Sequence, residues 1–100
     1  MQSVVLIDAD RQSLVTRLGG QRVRLRVHWQ PREEAWYCSV EYPPGTPILT
    51  GRRIVVDSDI MRGVLSGFEG RLICRRVLAG SGEPGRNAWN DTHRLVYEPA

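Results

Sequence analysis

One hundred residues suffice for one modest hydrophobic core and are too few for a second, so a single domain over 1–100 is expected. The composition, 41% hydrophobic and 25% charged, is that of an ordinary soluble globular chain, and no apolar run approaches the ~20 residues a bilayer-crossing helix needs. The formal charge is +3, and all 14 basic residues are Arg; a planar, permanently charged, bidentate side chain suits protein interfaces as well as phosphates.

The chain opens MQSVVLIDAD, without the basic n-region, full-length apolar h-region or small-residue cleavage site of a signal peptide, so none is expected. Residues 3–7 read as a first strand. Runs 12–18 and 21–29 flank Gly19-Gly20, a two-residue hairpin signal, because both central residues of a type I′ turn need positive φ. The run RVRLRVHW, Arg22 to Trp29, alternates strictly, with Val23, Leu25, Val27 and Trp29 on one face and Arg22, Arg24, Arg26 and His28 on the other.

The hairpin pairs Leu18 with Gln21, Leu14 with Leu25 and Arg17 with Arg22. Pairing Trp29 with Trp36 across the Gln30–Ala35 loop then sets Val27 against Cys38, Leu25 against Val40 and Val23 against Tyr42 in strand 35–42. This register aligns the whole apolar face, which a one-residue slip would destroy. On the other face Arg24 meets Glu41, Arg26 meets Ser39 and His28 meets Tyr37. Cross-strand pairs contribute only ~0.2–1 kcal/mol each, but these favour a solvated or protein-facing sheet over a phosphate funnel. Arg17 against Arg22 is uncompensated and is expected to find an acidic partner on another chain.

Further strands are expected at 48–56, bent near Gly51, at 71–78 and at 93–97, with at most one short helical turn near 57–62, where Asp or Ser can cap it. Frequent Gly and Pro between short β-rich runs point to an all-β barrel or sandwich of about seven mostly antiparallel strands.

Chemistry-bearing groups are sparse. Cys38 and Cys74 fit no zinc spacing and read as buried free thiols, with a structural disulfide as the alternative. His28 points outward while Cys38 points inward, so no nucleophile–base pair forms. The pairs Asp8/Asp10, Glu33/Glu34 and Asp57/Asp59 lie at turns, where they bond local backbone, and no metal site, cofactor site or catalytic residue is assigned. GSGEPGR, Gly80 to Arg86, lacks the Gly-Lys-Ser/Thr ending of a phosphate loop and reads as a flexible loop, exposed and able to order against a partner. Most aromatics go to the core. Trp89, in a polar loop beside Asn90 and Asp91, is expected to be an exposed anchor for another protein. The candidate interface is Arg17, Arg22, Arg24, Arg26, Tyr37, Arg86 and Trp89.

Four successive stretches, VHWQPREEAWYCSVEY, GTPILTGRRIVV, DIMRGVLSGFEG and RLVYEP, resemble the baseplate plug family of contractile-tailed phages and prophages. Arg75-Arg76 and WNDTHR depart from that pattern. The resemblance implies a non-catalytic structural subunit of the virion tail baseplate, assembled in the host cytoplasm, that closes the tube end at the central hub and spike. It implies as partners the hub, spike and tube-end subunits and copies of itself in a threefold or sixfold arrangement, with neither membrane nor stable nucleic-acid binding. The alternative reading, a small β-barrel binding single-stranded nucleic acid, draws on the Arg row and a pI near 9.4.

Overall fold

The structure is a computed structural model describing residues 2–64 and 68–99. The turn signal at Gly67 lies outside the described residues. Seven strands are present, β1 (Gln2–Val4), β2 (Arg11–Leu18), β3 (Gln21–Gln30), β4 (Ala35–Tyr42), β5 (Thr46–Arg53), β6 (Arg71–Arg76) and β7 (His93–Glu98). They form two antiparallel sheets, ordered β2-β3-β4-β5 and β1-β7-β6.

The sheets stack as a sandwich and do not close into a barrel. On one side, among the described residues, β1 reaches β2 through a side chain, Gln2 Nε2 donating to Arg17 O at 2.8 Å. On the other, the segment after β5 crosses between the sheets by single rungs. Ile54 N–H donates to Trp36 O, Asp57 N–H to Cys74 O and Ile60 N–H to Leu72 O, each at 2.8 Å. Isolated rungs hold the layers together without a continuous ladder.

The register in the large sheet is the one the alternation dictates. Leu18 faces Gln21, Leu14 faces Leu25 and Arg17 faces Arg22, with Gly19 and Gly20 at φ 60° and 80°. Trp29 faces Trp36, Val27 faces Cys38 and Leu25 faces Val40. Their inward side chains meet Leu72, Leu95 and Tyr97 of the small sheet in one buried cluster. Full burial of each such Leu or Val stabilises by ~1.5–3 kcal/mol, which is why a register slip is not tolerated.

Several elements end differently from expectation, each for a local reason. β1 stops at Val4, not residue 7, because the Gln12 amide accepts from Ile7 N–H and donates to Ile7 O, both at 2.8 Å. β6 stops at Arg76 because Val77 and Leu78 both donate to Thr92 O. β5 covers Thr46–Arg53; its register against β4 shifts between Cys38 and Val40, near Gly51, whose N–H donates to Ser39 Oγ at 2.9 Å, and again between Val40 and Glu41. At 57–62, expected to hold at most one short helical turn, no helix forms, in keeping with that expectation. Asp59 Oδ1 instead accepts from Met61 N–H (2.9 Å) and Leu72 N–H (3.0 Å), tying a run of turns to β6.

The Gly80–Arg86 loop, expected to be flexible, is bonded to the body along its length. Trp36 Nε1 donates to Gly85 O at 2.7 Å, Val56 N–H to Glu83 Oε2 at 3.0 Å, and His93 Nε2 contacts Gly82 O at 2.8 Å. A buried indole N–H needs an acceptor, and this loop supplies one.

Candidate functional site

Strand parity builds the site. Inward residues of β3 and β4 are apolar, so their outward neighbours share one open face, which the same parity extends onto β2. That face gathers Arg11, Arg17, Arg22, Arg24 and Arg26, and Arg53 joins them from β5 opposite Tyr37. One carboxylate, Glu41, is ion-paired here, shared between Arg24 at 3.5 Å and Arg26 at 3.1 Å. Arg11, Arg17, Arg22 and Arg53 have no ion pair among the described residues. His28 stacks on Tyr37, centroids 5.8 Å apart, and the Tyr37 hydroxyl donates to Glu33, which raises the phenol above its ordinary pKa.

Depressions among the described residues open on this surface. One of about 390 Å³ lies between Arg11, Ser13, Arg26 and His28. A second, about 350 Å³, is bounded by His28, Arg32, Glu33 and Tyr37, and a third, about 150 Å³, by Arg26, Glu41 and Pro47. The first, walled by Arg11, Arg26, His28 and the Ser13 and Ser39 hydroxyls with Val27, is suited to a carboxylate through charge-assisted hydrogen bonds, whereas Glu33 and Glu41 already place carboxylates in the other two.

The small sheet contrasts with this. On it Glu98 pairs with Arg71 (2.7 Å) and Arg75 (2.9 Å), and Asp57 pairs with Arg75 (3.1 Å) and Arg76 (3.0 Å). The hydrogen bond from Arg75 holds the Glu98 carboxyl below its ordinary pKa. The Arg75-Arg76 pair inside an apolar run is therefore internally neutralised, whereas on the large sheet only Arg24 and Arg26 have an ion-pair partner among the described residues.

Five of the seven expected interface residues, Arg17, Arg22, Arg24, Arg26 and Tyr37, fall together on the cationic face. Arg86 lies apart, its fork closed on Asp10 at 3.0 and 2.5 Å, which lowers the Asp10 pKa. Trp89 corrects its expectation. It is buried, only 6% exposed, with its ring 5.3 Å from that of Trp36. Of the polar neighbours that suggested exposure, Asn90 donates its Nδ2 to Leu6 O at 2.5 Å, which ties this turn to the chain's start.

Arg11 and His28 belong to the face but were not among the expected interface residues; extending the hairpin register by three pairs finds both. Arg53 had no such signal, since two register shifts separate it from the Pro43–Gly45 turn.

The aromatics are poorly placed for stacking bases. Trp36 is fully buried, Trp29 packs half-buried against it at 5.4 Å, and Phe68 packs edge-on to Tyr97 at 6.0 Å. Both cysteines are free and buried, and burial pushes each thiol up to about 12.

No curated protein matches the chain. Residues 1–100, the full chain, match the family described as cyanophage baseplate Pam3 plug gp18. This all-β sandwich therefore belongs to that phage baseplate plug family.

Proposed function

We propose that the protein is a structural, non-catalytic subunit of a phage tail baseplate, a plug at the central hub and spike that works through protein–protein contacts. It is assembled in the host cytoplasm as one folding unit and incorporated into the virion. Its partners are other tail proteins and copies of itself in a threefold or sixfold arrangement. The observation that carries this reading, beside the family, is the arginine face of the large sheet. It exposes four guanidiniums, Arg11, Arg17, Arg22 and Arg53, without an ion pair among the described residues, and Arg11 borders the depression it shares with Arg26 and His28, a surface suited to carboxylates on another subunit.

The test is co-expression with the tail proteins encoded beside it, followed by affinity capture and sizing. The expected result is a stable complex that Arg17→Glu with Arg22→Glu weakens while the variant stays folded. Capture of no tail protein by the wild type refutes the reading. So does tight binding of single-stranded oligonucleotide that falls steeply as salt rises, the mark of counterion release.

A further inference from the structure

Of the sheet edges, β2 is the long regular one left open among the described residues. β1 is three residues long, the β6 edge is met by Asp57 and Ile60, and β5 carries Pro47 and two register shifts, all devices that blunt an edge. β2 runs eight residues, and its one ladder partner is β3.

The phase of its backbone follows from the hairpin. Residues flanking a two-residue turn exchange both backbone bonds, so even-numbered residues of β2 bond β3 and odd-numbered ones face away. Two bonds fix this. Trp29 N–H donates to Asp10 O at 2.8 Å on the β3 side, and Gln2 Nε2 reaches Arg17 O from the opposite side. Arg11, Ser13 and Val15 therefore present N–H and C=O groups without partners among the described residues, and Arg17 presents its N–H.

The side chains define what fits. Arg11, Ser13, Val15 and Arg17 stand exposed on the cationic face, while Leu14 and Thr16 on the inner side are only half-covered. A second copy added antiparallel across the full row would set Arg11 against Arg17 of its neighbour at both ends, and like charges directly opposite are destabilising. We infer that the β2 edge is a strand-addition site for an extended acidic segment of a different polypeptide. Its carboxylates, at alternating positions, meet Arg11 and Arg17, and its apolar side chains cover Leu14. Backbone bonds supply the affinity and the arginines supply the selection. This deepens the baseplate reading, on which it rests for the source of the segment.

The probe is the peptide acetyl-Gly-Glu-Val-Glu-Val-Glu-Gly-amide, with a Lys-for-Glu analogue as control, added to the ¹⁵N-labelled full chain. The expected result is shifted resonances and slowed hydrogen exchange at the amides of Arg11, Ser13 and Val15 with the Glu peptide alone. Val15→Pro removes an outward N–H without touching the β3 ladder and is expected to weaken binding about tenfold. Arg11→Glu with Arg17→Glu, which leaves the backbone alone, is expected to exchange the preference in favour of the Lys peptide. The inference is overturned by no response to the Glu peptide at millimolar concentration, by equal response to both peptides, or by shifts confined to β3 and β4. Unchanged capture of tail proteins by Val15→Pro overturns it and leaves the baseplate reading standing. Peptide binding as described, with no tail protein captured by the wild type, upholds the edge site and refutes that reading.

Discussion

Trp36 and Trp89 offer a paired test of how the core is held. Their rings touch and both are buried, but Trp36 Nε1 donates to Gly85 O at 2.7 Å while Trp89 Nε1 has no partner among the described residues. Replacing either by Phe deletes about three buried heavy atoms, a loss of about 2 kcal/mol from transfer and cavity terms. Trp36→Phe also strips the Gly85 carbonyl of its donor, worth about 1–2 kcal/mol more, for a total of about 3–4 kcal/mol. Trp89→Phe instead removes an unsatisfied buried N–H, which returns about 1 kcal/mol and leaves a net loss of about 1 kcal/mol. Urea denaturation followed by far-UV circular dichroism measures both; the gap of about 2–3 kcal/mol corresponds to roughly 8–24 °C in melting temperature. Equal losses for the two variants would refute the assignment of these two nitrogens.

The Cys38 and Cys74 thiols, pushed up to about 12 by burial, are expected to resist iodoacetamide at neutral pH in the native protein and to react once it is unfolded; rapid native labelling, read by mass spectrometry, contradicts this. The folded-state pKa of Glu98 is depressed, so its ion pairs stabilise at neutral pH and that stability is lost as pH falls below the ordinary Glu value of 4.5. Glu98→Gln is expected to lower the neutral-pH denaturation midpoint and to flatten this acid dependence, and an unaltered pH profile counts against it. At Gly70, φ is +101° and an added Cβ would lie 2.7 Å from Glu98 O and from the Tyr97 ring, so Gly70→Ala is expected to cost about 2–4 kcal/mol. Gly20→Ala, at φ +80° with open space around it, is expected to cost about 1–2 kcal/mol, and reversal of that order by thermal melts refutes the packing argument.

Much of the candidate face was legible from β3 outward. Strict alternation in Arg22–Trp29 and the Gly-Gly turn impose period two and a fixed phase, so Arg17, Arg24 and Tyr37 share a face in any structure that buries Val23 and Leu25. Trp89 was misread because its neighbours are polar. Asn90 spends its amide on the carbonyl of Leu6, 84 residues away, which no local pattern announces.

Local periodicity thus determined which side chains of β2, β3 and β4 point inward, because a pleated strand has two faces and only one can be apolar. It did not determine how the layers close. Barrel and sandwich use the same alternation, and the choice fell to a few long-range bonds, from Gln2 to Arg17 and from Ile54, Asp57 and Ile60 to β4 and β6. The charge balance was settled at the same level. Arg71, Arg75 and Arg76 found Glu98 and Asp57 across the small sheet, whereas Arg11, Arg17 and Arg22 met no carboxylate in theirs. An arginine in a strand is neutralised only by what the fold places opposite it, and that is decided by distance in space, not in sequence.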